Sequence, residues 1–225
     1  MKTVFMFSGQ GAQYAGMGKD LYKNYPVAKE IFDRADNVLG YSIKDICFED
    51  EQKLGETEFA QPAILTMSIA AMKVLEEEGV RADMTAGLSL GEYSAYVASE
   101  AMDFEEAVAL VQKRGKFMAE AVPSGEGAMY AIIGLDTALV EEACAEATAE
   151  GDGLAVQANY NAPGQIVIAG HAQAAKRAAA LAKEKGAKLT VPLKVSGPFH
   201  TELLQPAAEK LGPELDKMHI SPMKM

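Results

Sequence analysis

Between residues 127 and 194 the chain changes character, and no other stretch constrains the fold as strongly. GAMYAIIGL reads as a strand, DTALVEEACAEAT as a helix with Asp136 at its N-cap, and LAVQANYNAP and GQIVIAG as two more strands. HAQAAKRAAALAKEKG then reads as a helix closed by Gly186, and KLTVPLKV as a last strand. The order βαββαβ within about 68 residues is that of the split ferredoxin-like unit. Such a unit is a compact α+β subdomain, so the flanking sequence must build a separate body around it.

That body opens with the strand TVFMF, passes through helices expected near 16–39, 62–78 and 104–121, and resumes at VSGPFH. Alternating strands and helices predict a parallel α/β core. Two core strands are evident, near 3–7 and 84–88, and two strands make a poor sheet. TELLQPAAEKLGPELDKM reads as a helix interrupted near Gly212-Pro213 and adds no strand. The expected division is therefore a large α/β subdomain of residues 1–124 and 195–225 around a small one of 125–194. A further partner is expected as well: a C-terminal fragment or second chain that completes the core sheet.

Of the 225 residues, 49% are hydrophobic and 24% charged, the balance of a globular protein with a real core. MKTVFMFSGQ has one lysine, a short apolar run and no small-residue cleavage site, so it reads as a first strand and not a signal peptide. No segment approaches the roughly 18 apolar residues of a membrane span. Cys47 and Cys144 fit no metal or redox spacing, which favours a reducing compartment, with the cytoplasm expected. The net charge of −11 argues against nucleic acid and against anionic membrane surfaces. Residues 171–194 depart from it, with six cations against one acid, +5, leaving −16 for the remainder. Two readings of that segment stand: a solvated helix face, or a docking surface for an acidic partner.

GLSLGEYSAYV, residues 87–97, follows the apolar strand MTAGL and leads into a helix. Strand, sharp turn and helix is the context in which GxSxG presents a nucleophilic hydroxyl, here Ser89, although a serine in a tight turn can also be a plain polar residue. The other glycine-rich stretch, GQGAQYAGMG, fails both phosphate-loop patterns, with Tyr14 in place of the third glycine of GxGxxG and Asp20 after Gly18-Lys19. A base for Ser89 must come from His171, His200 or His219. His200, after the Gly-Pro turn of VSGPFH, sits where a loop residue would face a cleft, or where a hydrogen-bonded structural histidine would serve equally well. Arg114 falls about 40° from the centre of the apolar stripe formed by Phe104, Ala107, Val108, Val111 and Met118. A guanidinium there needs an anion, from the protein or from a substrate, unless its stem only snorkels along the stripe edge. In SGQGAQ after the first strand, the N–H of Gln10 could form an oxyanion hole with that of Leu90, or the turn could be an ordinary glycine turn.

Six motifs in order, FSGQGAQ, TEFAQPAIL, GLSLGEY, VQKRGKFM, NYNAPGQIVIAG and SGPFH, closely resemble the malonyl-CoA:acyl carrier protein transacylases, the acyltransferases of fatty-acid synthesis. The motifs run from residue 7 to residue 200, and the resemblance extends along the chain. The resemblance implies an α/β-hydrolase-like core with an inserted ferredoxin-like subdomain, and malonyl transfer from coenzyme A to acyl carrier protein through an acyl-serine, with no metal or bound cofactor. It implies Ser89 as nucleophile, His200 as base, Arg114 as the clamp on the malonyl carboxylate, and Gln10 and Leu90 as oxyanion donors. It further implies that Asn159 and Asn161 line a cleft and that Phe199, beside the base, crowds an α-methyl branch. One departure is local: Leu88 stands where the family usually has histidine. Two rival readings remain. A serine esterase or thioesterase would want an acid to complete its triad and gives Arg114 no task, and a carrier-protein binding module without turnover gives Ser89, His200 and Arg114 none.

Overall fold

The computed structural model describes residues 2–195 and 197–224. The chain divides into two compact units: one from the N-terminus to Lys116 together with the segment from Leu211 onward, the other Phe117–Lys210. Together they make a mixed α/β protein.

In the first unit, β1 (Val4–Phe7) precedes helices α1 (Lys19–Asn24), α2 (Pro26–Leu39), α3 (Ile43–Glu49), α4 (Glu51–Leu54) and α5 (Thr57–Glu77). They are followed by β2 (Met84–Gly87), α6 (Gly91–Ala98) and α7 (Phe104–Ala121). β1 and β2 pair in parallel, Val4 opposite Met84 and Phe7 opposite Gly87. The core is mostly helical: Ala28, Ile31, Phe32 and Ala35 of α2 meet Ile64, Leu65 and Ile69 of α5 and Val108 and Val111 of α7. In α2 and α7 the buried positions recur at spacings of three and four, so each buries one stripe, whereas α5 is buried all round over residues 60–66.

The expected helix over 16–39 is two helices, because Pro26 cannot continue α1 but fits the first position of α2. α3 and α4, capped by the Ser42 and Asp50 side chains, are too short to leave a periodic signal. α5 begins five residues before the expected 62, with Pro62 as its sixth residue, where the missing N–H forfeits only the bond to the Glu58 carbonyl.

In the second unit, β3 (Gly127–Ile133), α8 (Thr137–Ala149), β4 (Ala155–Ala162), β5 (Gln165–His171), α9 (Ala172–Glu184) and β6 (Leu189–Pro192) follow the expected βαββαβ order. Asp136 caps α8 by accepting from the Ala138 N–H. The sheet order is β4-β5-β3-β6, every neighbouring pair antiparallel. β5 is buried on both faces. Ile166 and Ile168 pack with Val140, Ala143 and Ala147 of α8 and with Ala174, Ala178 and Ala182 of α9. Val167 and Ala169, pointing the other way, pack with Met118, Phe199 and Ala207. The alanine stripe lets α9 lie close to the sheet.

After a 3-10 turn at Glu202–Leu204, α10 (Gln205–Leu215) runs unbroken through Gly212-Pro213, contrary to the expected interruption. Pro213 lies in the last turn and removes one bond, while the Asp216 N–H still donates to the Gly212 carbonyl at 3.0 Å. Among the described residues no helix is long and apolar enough to cross a membrane.

Ile168 is fully buried. Ile168→Ala should cost about 2–5 kcal/mol, from lost transfer energy plus the cavity left behind. Urea unfolding followed by circular dichroism checks this; a loss under 1 kcal/mol would mean that the helices collapse onto the vacancy.

Candidate active site

β2 ends at Gly87 and α6 begins at Gly91, so Leu88-Ser89-Leu90 must reverse the chain in three residues. Ser89 takes a left-handed conformation, φ 53°, and its hydroxyl is half-buried. A non-glycine residue held there costs about 1–2 kcal/mol. Both glycines of the motif have steric reasons. A Cβ on Gly91 would lie 2.1 Å from the Phe7 carbonyl oxygen of β1, and one on Gly87 would lie 2.1 Å from the Gly91 carbonyl carbon. The Leu88 N–H donates to that same Phe7 carbonyl at 3.1 Å, binding the turn to the neighbouring strand.

Backbone donors at this end of the sheet are left free. Among the described residues neither the Leu90 N–H, at the start of α6, nor the Gln10 N–H, in the turn after β1, donates to another group. Gln10 is tied down by its side chain, whose Nε2 donates to Thr57 Oγ1 at 3.1 Å. Leu88, at 55% exposure, sits over the same turn, its Cγ 3.6 Å from where a Cβ on Gly9 would be.

α7 brings Arg114 to the serine. Its Nη2 donates to Ser89 Oγ at 3.3 Å and its Nη1 to Gln61 Oε1 at 2.8 Å. Its Cζ lies 5.5 Å from the centre of the Tyr93 ring. Gln61 and Thr57 lie one turn apart on one buried face of α5. α7 reaches that face because residue 115 is glycine: a Cβ there would meet the Thr57 carbonyl oxygen at 2.5 Å. Among the described residues Arg114 has no carboxylate within ion-pairing distance. Burial pulls its pKa below the ordinary arginine value, opposed by Tyr93 and Glu92. Among the protein groups that touch it, its partly buried charge meets neutral oxygens and an aromatic face.

In the second unit, Gly197–Thr201 forms a tight turn, with the Phe199 N–H on the Gly197 carbonyl at 3.0 Å and Thr201 Oγ1 on the Pro198 carbonyl at 2.8 Å. Phe199 is buried, whereas His200 is exposed and left-handed, φ 62°. Pro198 packs where a Cβ on Gly127 would be, 2.2 Å from its Cδ. Asn159 lies opposite Val167, and register shifts fall between Gln157 and Asn159 and between Tyr160 and Ala162, so Asn161 is in an irregular part of the strand. His171 is structural, its Nδ1 accepting from the Leu154 N–H at 2.9 Å. Burial pushes the thiols of Cys47 and Cys144 up to about 12, which keeps both protonated near neutrality.

The basic segment is less free than its count of cations implies. Arg177 bonds Glu150 at 2.8 Å, Lys185 bonds Glu146 at 2.7 Å, and Lys183 Nζ donates to the carbonyls of Ala187 and Lys188. Among the described residues Lys176, Lys188 and Lys194 are exposed and have no ion-pair partner.

Sequence reasoning missed Gln61, Thr57 and Tyr93. Gln61 and Thr57 carried a signal of a kind, being polar residues on the buried face of an apolar helix.

A strand-to-helix elbow with a left-handed serine, free N–H groups beside it and an unneutralised guanidinium on the hydroxyl is an arrangement chemically capable of acyl transfer. A family model described as the acyl transferase domain matches residues 4–225, and the chain belongs to that family. It is 52% identical to the malonyl CoA-acyl carrier protein transacylase of Bacillus subtilis over 220 residues, which cover 97% of this chain and 69% of that protein. Among solved structures, MCAT from Streptococcus pneumoniae is similar with a TM-score of 0.92 and 52% identity, over 99% of this chain and 72% of that one. A malonyl-transacylase solved in complex with its type II PKS acyl-carrier protein is similar with a TM-score of 0.94 and 41% identity, over 100% of this chain and 73% of that one.

Gly91→Ala should destabilise the first unit by about 1–3 kcal/mol, since the atom its Cβ meets is backbone and cannot swing away. A urea midpoint equal to that of the parent would show that β1 and α6 can separate without cost.

Proposed function

We propose that this protein is a malonyl-CoA:acyl carrier protein transacylase of fatty-acid synthesis. The observation that carries the reading is Arg114, a partly buried guanidinium with no carboxylate of its own, bonded to the hydroxyl of the elbow serine. A substrate carboxylate would supply the missing anion, and the acyl chain attached to it would then lie against Ser89. A hydrolase of neutral esters has no use for that cation.

In the proposed mechanism, His200 accepts the Ser89 Oγ proton as Oγ attacks the thioester carbonyl of malonyl-CoA. The developing oxyanion accepts from the N–H groups of Gln10 and Leu90. Collapse expels coenzyme A, whose sulfur takes the proton from His200, and leaves malonyl as an ester on Ser89. The carrier protein's pantetheine thiol then gives its proton to His200 and attacks the ester, and Ser89 leaves with that proton restored. Each half-reaction balances with no metal, redox step or resident cofactor. Asn159 and Asn161 would line the acyl cleft and Phe199 would crowd an α-methyl branch.

The antiparallel order β4-β5-β3-β6 supports a ferredoxin-like small subdomain, residues 125–194, and the parallel β1–β2 pair with its elbow supports an α/β-hydrolase-like core in 1–124 and 195–225. Val4, Met6 and Met84 are exposed apolar positions of a two-stranded sheet, which supports a further stretch of polypeptide completing it. A cytoplasmic setting, where malonyl-CoA and carrier protein meet, goes with this activity.

Intact-mass spectrometry after mixing with malonyl-CoA, then adding carrier protein, tests the reading. The expected result is a malonyl adduct that is stable in buffer and discharged by carrier protein. An adduct that hydrolyses unaided would favour the esterase, and no adduct would favour the binding module. Ser89→Ala should abolish the adduct, and His200→Ala should slow its formation by about 10³ or more. Arg114→Ala should lose malonyl transfer while keeping acetyl transfer; equal loss of both would make Arg114 structural.

Carrier-protein docking falls, on this reading, to Lys176, Lys183, Lys188 and Lys194, the exposed cations of the basic segment that no carboxylate neutralises. Lys176→Glu with Lys188→Glu should raise the carrier-protein KM several-fold and reduce its salt sensitivity, with little change in acylation by malonyl-CoA. An unchanged KM would return both lysines to solvation.

A further inference from the structure

Gln61 is fully buried, and burying an amide costs free energy unless its polar atoms are bonded. Its partner identifies its orientation. A guanidinium only donates, so the atom 2.8 Å from Arg114 Nη1 is the carbonyl oxygen. The position admits three kinds of side chain with different consequences. An apolar residue would leave Arg114 Nη1 without this acceptor and the guanidinium held less firmly. A carboxylate would hold it better, through a charge-assisted and potentially bidentate bond, but would neutralise it. An amide holds the guanidinium and leaves its charge intact.

We propose that Gln61 is a positioning and specificity-determining residue: its neutral carbonyl fixes the Arg114 guanidinium beside Ser89 while leaving the whole charge for the acyl carboxylate. The inference rests on reading Arg114 as the carboxylate clamp. The same helix face carries Thr57, which holds the Gln10 side chain, so the first two turns of α5 set both the clamp and the turn bearing a proposed oxyanion donor. The close approach at Gly115 keeps that face against α7.

The test measures kcat/KM for acylation of Ser89 by malonyl-CoA and by acetyl-CoA in four proteins: the parent, Gln61→Glu, Gln61→Met and Arg114→Ala. Gln61→Glu should place a carboxylate against Arg114 and cut the malonyl-to-acetyl ratio about a hundredfold, chiefly through the malonyl-CoA KM. Gln61→Met, close in volume and uncharged, keeps the argument testable if the glutamate variant does not fold. It should lower the ratio about tenfold by loosening the guanidinium without neutralising it. A merely structural role would depress both substrates equally and leave the ratio alone. If Arg114→Ala collapses the ratio and neither Gln61 variant moves it, the inference about Gln61 is overturned. If the parent shows no malonyl preference, or Arg114→Ala leaves the ratio unchanged, the clamp reading itself fails.

Discussion

The chemistry proposed for this protein depends on one close contact, the approach of the Phe7 carbonyl to the α-carbon of Gly91. It lets the start of α6 sit against the end of β1, and everything else at the elbow follows from it. With Gly91 fixed to β1 and Gly87 ending β2, three residues must reverse the chain. Ser89 takes the left-handed conformation that this reversal demands. The strain of about 1–2 kcal/mol is sustained by the parallel β1–β2 pairing and by the Leu88 bond to Phe7. The same geometry leaves the Leu90 N–H at a helix N-terminus with no intrahelical acceptor, which is where an oxyanion would find it. Strain and free donor are two results of one packing constraint.

The second organising term is electrostatic. A partly buried guanidinium is ordinarily matched by a carboxylate, and removing the partner of such a pair is among the most damaging single changes a fold can suffer. Arg114 is instead held by an amide oxygen, a hydroxyl and the face of Tyr93, which together solvate the cation without cancelling it. This arrangement stabilises the fold less than an ion pair would. Its physical rationale is an incoming anion, since the free energy withheld from folding is then available to binding.

Much of this was legible in the sequence where the signal was local or periodic. The βαββαβ order, the Asp136 cap, the buried face of α7 and the elbow around Ser89 all follow from spacing and turn chemistry. What escaped was either too short or non-local. α3 and α4 span seven and four residues, less than two turns each, so no stripe can form. The continuity of α10 through Pro213 depends on where in the helix the proline falls, and the dipeptide alone does not encode it. Gln61 escaped as well, because its meaning required knowing that position 115 on another helix is a glycine in contact with the same turn.

The basic segment shows the same limit acting on charge. Its six cations are a fact of the sequence, yet the acids that meet two of them, Glu142, Glu146 and Glu150, lie on or at the end of α8, which the chain reaches more than twenty residues earlier. A third, Lys183, bonds backbone carbonyls just beyond α9, where a cation also complements the helix dipole, and these neutral acceptors fix its position without cancelling its charge. Net charge along a segment therefore overstates the field that a partner would meet. What survives folding is a sparser set of lysines, and long-range attraction to an acidic protein depends on that set, because paired charges present dipoles whose field decays faster than that of a lone ion.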